Sequence, residues 1–100
     1  MDSKKLNKHD LYVEKLVNEI RDEYDSISTH LKFSNTKRVV AEADVVAKKG
    51  DEIHIYEVKC SLRMVKAKKQ LDRLRKIISP NKKTSCFLYN GLGDTLLRVY

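Results

Sequence analysis

Three charged side chains sit where a strand would otherwise be apolar. Asp44 lies within Glu42-Ala43-Asp44-Val45-Val46, and Glu57 and Lys59 lie within Tyr56-Glu57-Val58-Lys59. A charge in such a setting is costly unless it is paired or holds a metal. Glu57 and Lys59 are two residues apart, so on a strand they share one face. A hairpin centred near Gly50 sets Asp44 on the neighbouring strand, so that two carboxylates and one ammonium converge. Hard carboxylate oxygens suit Mg²⁺ or Mn²⁺, which also take phosphate oxygens as ligands. Such an ion acidifies a water, offsets developing negative charge and orients a phosphate for in-line attack. A lysine at that point orients or deprotonates the attacking water, or stabilises the transition state. Beside two carboxylates its ammonium tends to stay charged, which makes the base role the weaker one. The competing reading is a buried ion pair of Lys59 with Asp44 or Glu57, and an Asp…Glu-x-Lys pattern is frequent by chance. The hairpin, the apolar surroundings and a basic chain favour catalysis.

The elements that must position these groups are legible in the periodicity. Leu6 to Tyr24 reads as a helix, with Leu6, Val13, Leu16, Val17, Ile20 and Tyr24 on one face. Ile27, Thr29, Leu31 and Phe33 alternate with polar residues as in a half-buried strand. Asn35-Thr36 marks a turn, Lys37 to Ala47 a second strand, Lys49-Gly50-Asp51 a hairpin loop and Glu52 to Lys59 a third strand. Ser61 is a candidate cap for a second helix, which presents Ala67, Leu71, Leu74 and Ile78 and ends before Ser79-Pro80-Asn81. Ser85 to Tyr89 and Thr95 to Tyr100 are the last strands, joined by a Gly-rich turn. The order α-β-β-β-α-β-β predicts one α/β domain over residues 1–100, a mixed sheet with a helix on each side. The second helix serves as a crossover between parallel strands.

The chain carries a net charge of +7 and has a pI of about 9.5, which favours a polyanionic partner. The charge is segregated. Between Lys59 and Lys83 there are ten Lys or Arg and one acid, Asp72, whereas Glu14, Glu19, Asp22, Glu23 and Asp25 make the first helix region acidic. Lys66, Lys68, Lys69, Arg73, Arg75 and Lys76 give the second helix a strong positive field and as a set are expected to contact DNA phosphates, Lys66, Lys69 and Arg73 foremost and Lys37 and Arg38 as weaker candidates, which gives affinity without sequence readout. The alternative is a solvated basic face. No apolar run has the length of a membrane span, and the first ten residues hold no apolar signal region. The expected location is a cytoplasm, that of a host cell if the gene is viral. Cys60 and Cys86 make no metal pattern and are expected to be free thiols. His9, His30 and His54 do not cluster in sequence and are assigned surface or packing roles. Tyr56 and Tyr89 are read as core or sheet residues. Asn90-Gly91-Leu92-Gly93 is no phosphate loop, because no helix with Lys-Ser/Thr follows it.

From about residue 10 to 78 the chain resembles the PD-(D/E)XK nuclease superfamily: acidic helix, strand with Asp44, strand with Glu57-Val58-Lys59, then a helix. Small archaeal Holliday junction resolvases and related archaeal or viral nucleases are the most similar in size and layout. One departure is Ala43, where many members place proline. The resemblance implies a restriction-endonuclease-like fold and metal held by Asp44, Glu57 and the Val58 carbonyl. It also implies a further metal-site glutamate on the first helix, for which Glu14 in Val13-Glu14-Lys15-Leu16-Val17 is the match. Gln70, a dozen residues after the lysine, matches a glutamine often found near the active site, although an ordinary polar helix residue fits as well.

These expectations define a Mg²⁺- or Mn²⁺-dependent DNA endonuclease. Branched DNA is the favoured substrate, because a minimal domain must read shape or ends. Junction resolution needs two cuts and hence a two-fold homodimer, in which Leu92, Leu96 and Leu97 are candidate contacts. The rivals are a single-strand or flap nuclease of the same fold, and a catalytically silent DNA-binding module. An RNA-binding protein is disfavoured by the lack of a stacking signature.

Overall fold

Helix α1 (Lys8–Ile20) begins where the sequence supplies a cap: the Asn7 side chain accepts the Asp10 amide at 2.7 Å. The computed structural model describes residues 7–34, 39–60, 64–78 and 83–100. Leu6, Asn35-Thr36, Ser61, Ser79-Pro80-Asn81 and the Ile78 side chain therefore lie outside the described residues, as do Lys37 and Arg38. Val13, Leu16 and Ile20, at helical spacing, form the buried stripe of α1. The helix stops at Ile20, four residues earlier than its periodicity suggests. A 3₁₀ turn (Arg21–Glu23) follows, and Tyr24 is extended. The Tyr24 hydroxyl hydrogen-bonds His54 and Tyr56, so tertiary bonding draws this residue out of the helix.

Five strands follow: β1 (Ser26–Ser34), β2 (Val39–Lys49), β3 (Glu52–Lys59), β4 (Lys83–Asn90) and β5 (Thr95–Arg98). Helix α2 (Met64–Ile78) lies between β3 and β4. The sheet order is β1-β2-β3-β4-β5. Only β3 and β4 are parallel, with α2 as their crossover. Gly50 adopts φ +60° in the two-residue β2–β3 turn, where Lys49 pairs with Glu52. A tight hairpin turn demands that left-handed backbone, which glycine adopts without strain.

The two helices cover opposite faces. Val13, Leu16 and Ile20 pack with Val45, Ala47, Tyr56, Val58 and Tyr89. Leu71 and Leu74 pack with Ala43, Val46, Ile53, Ile55 and Cys86. Truncating a fully buried leucine such as Leu71 to alanine costs about 2–5 kcal/mol. Tyr56 and Tyr89 are core residues, Cys86 is buried, and both cysteines are free.

The two outer strands turn over midway. On β1, Ile27 packs against the α1 side and Phe33 against the α2 side, although they are six residues apart and should share a face. On β2, Val45 and Ala47 face α1 while Ala41 and Ala43 pack with the α2 cluster. The β2 reversal falls between Val45 and Ala43 and the β1 reversal between Ile27 and Phe33; the β1–β2 register skips the rung of His30 and Asp44, between the pairs Thr29/Val45 and Leu31/Ala43. His30 has φ +52°, a left-handed conformation uncommon outside glycine. The β2–β3 ladder ends just there, its last pair being Val45/Tyr56. The β1–β2 ribbon therefore leaves β3 at Asp44 and opens a fork in the sheet.

Candidate active site at a fork in the sheet

Asp44 fills that fork. It is 8 % exposed, and its Oδ2 accepts the Val58 amide at 2.8 Å, replacing a missing ladder bond. Glu57 and Lys59 continue the face that Ile53 and Ile55 turn toward α2. The Lys59 ammonium lies 3.1 Å from Glu57 Oε2, forming an ion pair that is largely withdrawn from solvent. Asp44, Glu57 and Lys59 are thus gathered at one end of β3, with the Val58 backbone between them.

The balance of forces on Glu57 can be ranked. Burial is the largest and raises its pKa. The Asp44 charge raises it further. The Lys59 ammonium opposes both and does not cancel them, so Glu57 stands at about 7. Glu57 Oε1 is buried without a hydrogen-bond partner, and so is Gln70 Oε1 on α2. Two buried acceptors without donors call for a water or a cation. Asp44, Glu57 and the Val58 carbonyl form an all-oxygen donor set of the kind that holds a hard divalent ion. The residues present therefore fit a metal. They are not a finished cage, because among the described residues no three His, Cys, Asp or Glu side chains are already grouped as one.

The helix contribution differs from the expected one. Glu14 is exposed and lines a groove of about 550 Å³ with Asp10, Arg21, Thr29 and His30. The α1 residue beside Asp44 is His9, whose Nε2 is 3.3 Å from Asp44 Oδ2 and 3.0 Å from the Val58 carbonyl. His9 precedes Val13 by four residues and Leu16 by seven, so it extends the buried stripe by one turn. A polar ring at that phase of an apolar stripe is the sequence signal for this position, one that histidine spacing along the chain does not carry. Gly91 helps to seat this end of α1. A Cβ there would lie 2.2 Å from the Tyr12 ring, so only glycine admits so close an approach. His54 does have a packing role, among Tyr24, Tyr56 and Phe87.

The basic residues of α2 fall into two groups. Arg75 and Lys76 are tied to Asp72, and Arg75 also lies over the Tyr100 ring. Lys66, Lys68, Lys69 and Arg73 are exposed and form no ion pair among the described residues. No protein-family model matches the chain, and no curated protein matches it. No helix among the described residues is long and apolar enough to cross a membrane.

Proposed function

We propose that the chain is a divalent-metal-dependent DNA endonuclease of the PD-(D/E)XK type, hydrolysing phosphodiester bonds at the sheet fork. The observation that carries this reading is the burial of two acids, Asp44 and Glu57, around one backbone carbonyl with a lysine 3.1 Å from Glu57. An unpartnered carboxylate oxygen in that setting is open to a water or a cation, and a divalent ion satisfies it together with its neighbours. Asp44, Glu57 and the Val58 carbonyl hold the ion, which supplies Lewis-acid activation of a phosphate oxygen and of a water. Asp44 is oriented by the Val58 amide, so its carboxylate is fixed before substrate arrives. Lys59 directs its ammonium at the attacking water or a non-bridging phosphate oxygen and offsets the charge that builds in the transition state. The Gln70 carboxamide oxygen, buried without a partner, is suited to accept a hydrogen bond from that water. The unpaired cations Lys66, Lys69 and Arg73 hold the DNA backbone.

Branched DNA remains the preferred substrate class, with flap or single-strand cleavage as the rival. A two-fold dimer is part of the proposal. Leu92, Leu96 and Leu97, exposed by 70, 46 and 36 % on the β4–β5 turn and the edge strand β5, are the candidate contacts for it. The test is cleavage of four-way junction, flap, single-stranded and linear duplex DNA in Mg²⁺, Mn²⁺ or EDTA, with Asp44→Ala and Lys59→Ala alongside. Cleavage that needs the ion and falls by about 100-fold or more in both variants supports the reading. Absence of cleavage on every substrate, or cleavage unchanged in the variants, refutes it. Paired symmetric nicks in the junction select the resolvase.

A further inference from the structure

We infer that His9 is a nitrogen ligand of the ion at this site, and that the site consequently prefers first-row transition ions such as Mn²⁺ and Co²⁺ to Mg²⁺. The inference rests on the metal-centre reading above and deepens it.

The geometry is that of donors around a common third body. His9 Nε2 stands 3.0 Å from the Val58 carbonyl oxygen and 3.3 Å from Asp44 Oδ2. Neighbouring ligands of an octahedral ion with bonds of about 2.1 Å are about 3.0 Å apart. One ring nitrogen carries at most one hydrogen, so it cannot satisfy two acceptors equally well. The same three atoms are well placed as ligands.

The other side of the ring is built like the support of a ligating histidine. His9 Nδ1 faces Asp10 Oδ1 at 3.8 Å, and His30 Nε2 lies 3.8 Å from that same oxygen. Those separations are charge contacts, not hydrogen bonds; a carboxylate behind the imidazole still strengthens it as a donor through its charge. The arrangement is anchored at both ends: Asn7 caps the helix at Asp10, and His30 sits on the rung opposite Asp44. An all-oxygen site suits Mg²⁺. Adding an imidazole shifts preference toward Mn²⁺, Co²⁺ and their neighbours, for which nitrogen is a better donor.

The test is ion binding by the full chain at one fixed pH, by calorimetry and by the visible absorption of Co²⁺, for the unaltered protein, His9→Ala and His9→Gln. Mg²⁺ is titrated separately, and circular dichroism verifies folding. Both variants should bind Co²⁺ and Mn²⁺ about 10- to 100-fold more weakly, with a changed Co²⁺ band, while Mg²⁺ affinity moves by less than about threefold. In the Co²⁺-loaded unaltered protein, the His9 ring protons should shift far outside the diamagnetic range, a readout that needs no variant. Equal or tighter Co²⁺ binding in the variants, or a His9 ring unaffected by Co²⁺, overturns the inference. If the unaltered chain binds ions and cleaves DNA, that outcome removes only the role of His9. If it binds no divalent ion, the metal-dependent reading falls as well.

Discussion

The Val58 amide donates to Asp44 Oδ2 at 2.8 Å, a side chain taking the bond that a strand would otherwise have taken. The β2–β3 ladder stops at Val45/Tyr56. Two residues beyond Tyr56, the peptide of Val58 still needs an acceptor, and the carboxylate in the fork supplies it.

Asp44→Asn and Asp44→Ala should therefore separate structure from chemistry. Asparagine keeps an oxygen for the Val58 amide, so stability to urea should stay close to that of the unaltered protein. Alanine leaves that buried amide unpaired and should cost about 1–3 kcal/mol. Neither variant should cleave. Either change removes a negative charge that raises the Glu57 pKa, so NMR titration of the Glu57 carboxyl should show it lower than about 7.

Glu57 sets a pH dependence of folding in EDTA. Its folded pKa is raised from 4.5 to about 7, so the native state binds this proton more tightly than the unfolded chain does. The stabilisation is fully present below about pH 4.5 and is lost as pH rises through 7. Its full size is on the order of 3 kcal/mol. Urea midpoints between about pH 5 and 8 should fall with rising pH, and the part due to this carboxyl should vanish in Glu57→Gln. Equal pH slopes for the two proteins would contradict the assignment.

His30 fixes the turnover of the outer strands through its φ of +52°. His30→Gly removes the left-handed strain and should leave the fold near its original stability. His30→Val places a β-branched residue where that conformation is a genuine outlier and should cost about 1–3 kcal/mol. It should also misplace Asp44 on the opposite strand. Comparing thermal unfolding with DNA cleavage in the two variants tests both halves of the claim.

The exposed cations of α2 should govern the salt response of DNA binding. Neutralising Lys66, Lys69 and Arg73 together should reduce the slope of log K against log salt by about 2–3. Neutralising Arg75 and Lys76, already held by Asp72, should change it far less. Fluorescence anisotropy across a salt series distinguishes the two groups, and equal losses in both would reject the division.

Periodicity reveals this fold well where one face of an element is buried. The stripe of α1, the strand Glu52–Lys59 and the face of α2 with Ala67, Leu71 and Leu74 all follow from spacing. The meeting of Asp44 with Glu57 and Lys59 was also legible, because a two-residue turn fixes hairpin register. The reversal at His30 was not. No residue type announces a left-handed histidine, and strand alternation assumes that no such break occurs. Tyr24 was missed for a related reason, since its hydroxyl is claimed by groups on the sheet. The His9 contact with Asp44 joins residues 35 apart; the phase of His9 on the α1 stripe places the ring against the sheet, and only the tertiary packing decides which sheet residue it meets.

The Gly50 turn also imposes an order of assembly. The β2–β3 hairpin is the most local pairing in the sheet, while α1 and α2 reach it from greater sequence distance. Local contacts form fastest, which predicts that Asp44 and Glu57 meet while water still screens their repulsion and that the helices enclose them afterwards. Gly50→Ala should accordingly slow refolding, whereas Leu71→Ala should chiefly speed unfolding, as stopped-flow chevrons of the two variants would reveal. The site is in this sense older within each folding event than the core that later makes it expensive to charge.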